Sequence, residues 1–216
     1  MVTDAHCHVA RGSSRHFICD PCDTPASSGD VRFVGAHPWR IDDFDAAALR
    51  ARLAADQRIG VGEIGLDRLH SREIPPRMRE VFEAQLAIAA EFHRPVVLHG
   101  AKCWGEVVRI AKSAKCKTFL FHGFSRSDGL LPDIVALNGY ISVGPAILND
   151  HAVNYRALAR KIPRDRLLVE SDCTAENAAE CPSADAVAAK LAEVRGEALE
   201  ELLASIEENA DRFLGA

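Results

Sequence analysis

Thr3-Asp4-Ala5-His6-Cys7-His8 is the stretch around which this sequence is organised. In a β-strand alternate side chains point to the same face, so Asp4, His6 and His8 would lie on one side. Two imidazoles two residues apart on a strand can bind one metal ion together. Solvated polar residues or core histidines would give the same local pattern. The interpretation therefore depends on whether the rest of the chain supplies further ligands.

Length and composition predict one domain of ordinary globular character over residues 1–216. Hydrophobic residues make up 48% of the chain and charged residues 26%, as in typical globular proteins. The formal net charge of −5 argues against a broad basic surface that binds nucleic acid without specificity. It leaves open a small substrate, or a nucleic-acid end that approaches through bound cations.

Apolar runs and cysteines indicate where in the cell the protein is located. No apolar run reaches the roughly 18 residues that a membrane span needs, and the first residues lack the pattern of a secretory signal. Seven cysteines, an odd number, predict reduced thiols and a cytoplasmic location.

Cys19 and Cys22 have C-x-x-C spacing, but no second motif completes a zinc site and no thioredoxin-like context surrounds them. We expect no role for this pair.

Predicted strands and helices alternate along almost the whole chain, which indicates parallel strands with helices packed outside. After the first strand, strands are predicted at 16–19, 31–35, 59–64, 95–99, 118–122, 140–143 and 167–170. Helices are predicted from Asp43 or Asp45 to 56, and at 75–93, 104–111, 130–137, 151–161, 184–194 and 197–214. Eight strands suit a (β/α)8 TIM barrel with its first helices shortened or missing. The alternative is an open, doubly wound sheet.

Candidate ligands favour the barrel. They stand at the carboxyl ends of different predicted strands: His8, Glu63, His99, His122 and Asp172. A barrel gathers those ends on one face, where the active sites of such folds lie. An open sheet would spread them apart.

The complete ligand set has four imidazoles and two carboxylates: His6, His8, Glu63, His99, His122 and Asp172. Such donors suit Zn²⁺, Mn²⁺ or Fe²⁺ and, with added waters, Mg²⁺. Six ligands are too many for one tetrahedral ion that keeps an open position. They suit two divalent ions that share a carboxylate and activate a water for hydrolysis.

The chain resembles the TatD family of metal-dependent deoxyribonucleases, within the amidohydrolase-like TIM-barrel enzymes. Collinear segments carry the resemblance: Asp4–His8, Gly35–Pro38, Gly62–Asp67, Leu98–His99, Phe121–Ser125, Glu170–Asp172 and Glu208–Phe213. The run Gly62-Glu63-Ile64-Gly65-Leu66-Asp67 is far more specific than the opening motif, which many amidohydrolases share. Related phosphotriesterase-like enzymes carry a modified lysine at the bridging position, where this chain has Glu63.

The resemblance implies a role for each ligand. His6 and His8 would bind the first metal ion with Asp172. Glu63 would bridge to a second ion, held by the two remaining histidines of the set. Asp172 would also take a proton from the attacking water. Family members hydrolyse phosphodiester bonds of DNA, often as 3′-to-5′ exonucleases on single strands, and some relatives deacylate aminoacyl-tRNA.

Four further residues are candidate substrate contacts. The resemblance implies that His37 and Asp67 support the ligands or contact substrate, although His37 could instead order the turn at Pro38. Lys102 and Arg126 follow the two second-metal histidines and are candidate phosphate contacts, with solvated loop charges as the alternative.

Departures from the family pattern lie on the substrate side. The chain is shorter than usual between His8 and His37. Ala101 stands where the family usually has an arginine, and the lysine that follows lacks the bidentate geometry of a guanidinium. After Asp172 the family has a proline-containing loop, whereas this chain reads Cys173-Thr174-Ala175-Glu176.

Three hypotheses on function follow. The first is a divalent-metal nuclease acting on DNA ends or another phosphodiester. The second is a metal-dependent hydrolase of a small-molecule ester or amide, favoured by the net charge and the missing arginine. The third is a binding protein without catalysis. We expect neither membrane association nor an obligate protein partner.

Overall fold

Eight parallel strands form one sheet whose order follows the sequence. A computed structural model describes residues 1–12, 15–19, 27, 29–69, 73–125 and 128–215. The strands are β1 (Thr3–Cys7), β2 (Arg15–Cys19), β3 (Val31–Val34), β4 (Gly60–Asp67), β5 (Val96–Ala101), β6 (Phe119–Phe121), β7 (Gly139–Val143) and β8 (Leu167–Val169). Each strand pairs in parallel with the next one along the chain, which leaves β1 and β8 at the two edges.

The two edges meet, so the sheet forms a nearly closed barrel. The Asp172 N–H donates to the His6 carbonyl at 3.1 Å, and the His8 N–H donates to the Cys173 carbonyl at 2.8 Å. These bonds join the end of β1 to the segment after β8. The predicted TIM barrel is confirmed, and the open sheet is not the architecture.

Seven α-helices stand among the described residues: α1 (Ala46–Ala55), α2 (Pro76–Glu91), α3 (Trp104–Ala111), α4 (Leu131–Ala136), α5 (Val153–Lys161), α6 (Ala184–Arg195) and α7 (Leu199–Leu214). The Asp45 carboxylate accepts from the N–H groups of Ala47 and Ala48. Asp45, rather than Asp43, is therefore the residue that caps α1. No α-helix lies in the described part of the segments between β1 and β3, as expected for shortened first helices.

Strand β4 is longer than predicted, because it ends at Asp67 instead of residue 64. The extension pairs with β5, where Gly65 lies opposite His99. A Cβ at Gly65 would lie 2.0 Å from the His99 carbonyl oxygen, and the residue has a φ of 151°. Only glycine fits this close approach. The pairing carries the polar end of β4, Asp67, to the site described below.

The amino-terminal end of the barrel is filled by aromatic side chains. The ring of Phe213, on α7, lies 5.7 Å from that of Phe17, 5.9 Å from Phe33 and 5.8 Å from Tyr140. Those partners belong to β2, β3 and β7, on opposite sides of the barrel, so Phe213 lies across this mouth. All four are buried.

Candidate metal centre

Glu63 lies at the centre of the carboxyl-terminal face, buried on β4. Its two carboxylate oxygens face different histidines. Oε2 lies 3.6 Å from His6 Nε2 and 3.7 Å from His8 Nε2. Oε1 lies 2.6 Å from His99 Nδ1 and 2.5 Å from His122 Nε2. Each carboxylate oxygen therefore faces its own pair of imidazoles, and the rings of His6 and His122 stack with their centroids 3.9 Å apart.

Asp172 lies beside His6, one of the two histidines that face Glu63 Oε2. Its Oδ1 lies 3.4 Å from His6 Nε2, and its side chain is 49% exposed, whereas the Glu63 side chain is 4% exposed. Asp172 has a φ of 52°, a conformation uncommon outside glycine that aspartate tolerates. Its N–H bond to His6 holds that backbone next to β1. Asp172 is thus the carboxylate of the centre that is open to solvent.

The donor atoms suit a metal ion. Three groups each have their ligand atoms within 4.8 Å of one another: His6–Glu63–His122, His6–His8–Asp172 and His37–Glu63–His99. Among the described residues, both ring nitrogens of His6 are buried without a hydrogen-bond partner. Buried polar atoms are normally paired, and a cation between His6 Nε2 and the nearby carboxylates would satisfy that atom. Nitrogen and carboxylate oxygen are donors that Zn²⁺ and Mn²⁺ accept.

Mutual contacts set the protonation of the centre. Burial alone would raise the pKa of Glu63, but the neighbouring His122 and His6 hold it well below its usual range. Burial would lower the pKa of His122, and the charge of Glu63 outweighs that effect and raises it well above its ordinary value. Burial would likewise raise the pKa of Asp172, yet its contact with His6 lowers it. Both carboxylates are therefore ionised at neutral pH.

Asp67 holds His99 in place. Its Oδ2 lies 2.8 Å from His99 Nε2 and also accepts from Trp39 Nε1 at 3.0 Å. The other oxygen accepts from the Leu69 N–H at 2.6 Å. His99 therefore presents Nδ1 to Glu63, with its ring fixed from the far side, as carboxylates commonly fix metal-bound histidines.

His37 orders a turn and also lies beside Glu63. Its Nδ1 accepts from the Trp39 N–H at 3.1 Å, which orders the turn into the 3-10 helix Pro38–Asp43. Its Nε2 lies 3.8 Å from Glu63 Oε1. Burial lowers the pKa of His37 to about 4, so the ring is neutral at pH 7 and faces the centre.

Glu170 is a residue that the sequence reasoning missed. It is buried, and its Oε2 lies 3.7 Å from His122 Nδ1, on the side of the ring away from Glu63. The carboxylate accepts from the Gly123 N–H at 2.8 Å and from the Ser142 hydroxyl. Its only sequence signal was its place two residues before Asp172, inside a segment that carries the family resemblance.

Asp4 fixes the backbone beside Asp172. It accepts from the Ser171 N–H at 2.9 Å and from the Ser171 hydroxyl at 2.6 Å. Burial raises the pKa of Asp4 to about 6, against the lowering effect of the Ser171 bonds. The opening motif therefore supplies a support for the segment after β8 as well as two imidazoles.

A cavity of about 870 Å³ opens above the centre, lined by His8, His37, Glu63, His99, His122 and Asp172. Arg40 and Arg52 are the basic residues among its described lining, and Arg40 Nε lies 2.8 Å from Asp43 Oδ2.

Lys102 is exposed and is not among the described residues that line the cavity. Arg126 and Cys22 lie outside the described residues. Cys19 is buried at the end of β2 and also lines the cavity.

The described cysteines are free, namely Cys7, Cys19, Cys103, Cys116, Cys173 and Cys181. Among the helices of the described chain, none is both long and apolar enough to cross a membrane.

A family model described as TatD related DNase matches residues 26–215. The chain belongs to this family. YabD of Bacillus subtilis (strain 168), an uncharacterized metal-dependent hydrolase, is 28% identical to it over 192 residues, which cover 83% of this chain and 75% of YabD. TatD of Erwinia tasmaniensis, a 3′-5′ ssDNA/RNA exonuclease, is 32% identical over 145 residues, or 64% of this chain and 56% of that protein.

The fold has a TatD counterpart among solved structures. The crystal structure of YJJV, a TatD homologue from Escherichia coli, superposes with a TM-score of 0.84 at 21% identity, covering 100% of this chain and 98% of that one. The chain is accordingly a metal-dependent hydrolase of the TatD family with a TIM-barrel fold.

Proposed function

We propose that this TatD-family hydrolase cleaves phosphodiester bonds at the 3′ end of single-stranded DNA, using two divalent metal ions. The observation that carries the proposal is the division of the Glu63 carboxylate, with Oε2 toward His6 and His8 and Oε1 toward His99 and His122. The exonuclease activity in the name of the Erwinia protein supports the choice of substrate.

In this proposal the ligands form two sets. His6, His8 and Asp172 would hold one ion, the other two histidines of the centre would hold the second, and Glu63 would supply a ligand to each. The buried His6 Nε2, which has no hydrogen-bond partner among the described residues, and the mixture of nitrogen and carboxylate donors fit this assignment. When bound, two such ions activate a water and neutralise charge on the attacking and leaving oxygens. That positive charge allows a chain of net charge −5 to bind a polyanion.

Asp172 is the proposed proton acceptor. Its contact with His6 keeps it ionised, and its side chain is half exposed toward the cavity. It can therefore take a proton from the attacking water, a step that typically contributes a 10²–10⁴-fold acceleration. Glu63 is buried among imidazoles, so we assign it to holding the ions rather than to moving protons.

The support residues keep the centre rigid in this proposal. Asp67 holds His99, and Glu170 lies behind His122. Asp4 holds the Ser171 backbone next to Asp172. We also propose that residues 1–216 act as one catalytic domain, in the cytoplasm, without an obligate protein partner.

The cavity favours a second candidate, a hydrolase of small-molecule esters or amides. Its volume of about 870 Å³ lies within the range of pockets that enclose small ligands. Besides Arg40 and Arg52, its lining includes three acidic residues: Asp43, Asp45 and Glu176. Lys102, a candidate phosphate contact, lies outside this lining.

The test uses 5′-labelled single-stranded oligonucleotides with a 3′-hydroxyl or a 3′-phosphate, in Mg²⁺, Mn²⁺ or EDTA. We expect stepwise shortening of the 3′-hydroxyl substrate that needs the metal and is abolished in Glu63→Ala. A panel of carboxylic ester, amide and phosphomonoester substrates is assayed with the same preparation. Hydrolysis of an ester or amide by a metal-loaded protein that leaves every oligonucleotide intact would contradict the nuclease proposal and establish the second candidate.

A further inference from the structure

Trp39 differs from the other tryptophan of the chain in its exposure. It is 60% exposed and lines the cavity, whereas Trp104 is 4% exposed and packs in the core. Leaving a large aromatic surface in water forgoes the stabilisation that its burial would bring. An exposed aromatic side chain at the edge of a candidate active site therefore suggests a ligand.

The indole of Trp39 is tied to the metal centre. Its Nε1 donates to Asp67 Oδ2 at 3.0 Å, and the same oxygen lies 2.8 Å from His99 Nε2. The ring also meets His37 edge-to-face, with centroids 4.9 Å apart. A ligand on Trp39 would lie one carboxylate away from a histidine of the centre.

These contacts also determine what kind of surface the tryptophan offers. The indole has one polar atom, and Asp67 already binds it, so the exposed remainder is apolar carbon. Held by Asp67 and His37, the ring is pre-organised and loses little freedom when it binds a flat partner. Aromatic side chains of this kind stack on nucleobases without sequence preference, because every base has a π-face.

We propose that Trp39 forms a stacking subsite for a nucleobase near the end of a single-stranded nucleic acid. The inference rests on the proposed nuclease function and adds a determinant of substrate class. A small ester or amide that reaches only the metal centre would not need this platform.

Binding is measured with the metal-loaded protein and an eight-nucleotide phosphorothioate oligothymidylate, which resists hydrolysis. A matched abasic oligomer keeps the backbone charge and lacks the bases. In Trp104→Phe protein, Trp39 is the single tryptophan, so its fluorescence reports the subsite directly. We expect quenching by the oligothymidylate and about tenfold weaker binding of the abasic oligomer.

Two substitutions separate stacking from the bond to Asp67. Trp39→Leu removes both, and Trp39→Phe keeps an aromatic ring without the indole N–H. We expect Trp39→Leu to weaken oligothymidylate binding about tenfold and to leave binding of the abasic oligomer unchanged. Trp39→Phe should bind the oligothymidylate with most of the wild-type affinity. Thermal unfolding of each variant checks the fold.

The outcomes distinguish this inference from the proposed function. If the wild type hydrolyses DNA but Trp39→Leu binds both oligomers as the wild type does, the subsite is rejected and the nuclease proposal stands. Equal loss in Trp39→Leu and Trp39→Phe would show that the bond to Asp67 alone matters, and would also reject stacking. A wild type that neither binds nor hydrolyses oligonucleotides would overturn both.

Discussion

At the amino-terminal end of the barrel, Phe213 packs against Phe17, Phe33 and Tyr140, whereas at the carboxyl-terminal end Glu63 is buried among imidazoles. The first end is closed by apolar surface, and its burial favours folding. At the second end, ionisable carboxylates and imidazoles lie together below an open cavity. Burying charged groups costs free energy unless they are paired.

Charged residues at the closed end have partners of opposite charge. Arg15, at the start of β2, lies 2.7 Å from Asp211 and 3.4 Å from Glu207, both on α7. At the open end, the buried ring nitrogens of His6 have no hydrogen-bond partner among the described residues, and the carboxylates nearest to Nε2 lie 3.4 and 3.6 Å away. The contrast teaches that one end is organised for stability and the other for binding a cation, a division expected of TIM barrels.

Asp172→Asn is expected to have the largest effect at the open end after Glu63→Ala. We expect turnover to fall by roughly 10²–10⁴-fold with metal binding partly retained, because the amide keeps an oxygen ligand but accepts no proton. Initial rates on the oligonucleotide substrate measure it. Glu176→Gln, which alters an exposed carboxylate of the same cavity, is the matched control and should turn over normally. Near-normal rates in Asp172→Asn would remove this residue from the mechanism.

Phe213→Ala tests the closed end. Its ring fills the amino-terminal mouth, so we expect a loss of about 3–5 kcal/mol in the free energy of unfolding, measured with urea. Turnover of the protein that remains folded should stay close to normal. Leu199→Ala changes an exposed residue of the same helix and should leave stability nearly unchanged. A Phe213 variant that is stable but inactive would contradict the division between the two ends.

Glu170→Gln has the smaller effect expected of a support residue. The substitution removes the negative charge 3.7 Å from His122 Nδ1 and leaves an acceptor for the Gly123 N–H. We expect the affinity for metal to fall about 10–100-fold. Titration with Mn²⁺ measures this affinity. Ser142→Ala, which deletes the hydroxyl that bonds Glu170, should weaken binding less. Wild-type affinity in Glu170→Gln would mean that this carboxylate serves only the backbone at Gly123.

Local patterns were sufficient for most of the fold. The predicted bounds of α3, Trp104 to Ala111, are those of the structure, and the alternation of strands and helices predicted the parallel strands. The length of β4 was mispredicted because Gly65 has the local character of a strand break. Its pairing with His99 depends on a strand 34 residues further along the chain, which no local pattern contains.

The support residues of the site were harder to predict for the same reason. Histidines at strand ends are visible in a sequence, and the barrel topology predicts that they converge. The contact between Glu170 and His122, and the bond between Trp39 and Asp67, depend on side-chain directions across neighbouring segments. Lys102 was proposed from proximity along the chain to His99, but its side chain is exposed outside the described cavity lining.

The central claim is that the Glu63 carboxylate joins two metal sites. The most direct measurement is calorimetric titration of metal-free protein with Mn²⁺, wild type beside Glu63→Ala, with the fold of each checked by circular dichroism. We predict two ions per wild-type chain and at most one, bound more weakly, in the folded variant. Two ions bound with unchanged affinity in Glu63→Ala would contradict the claim.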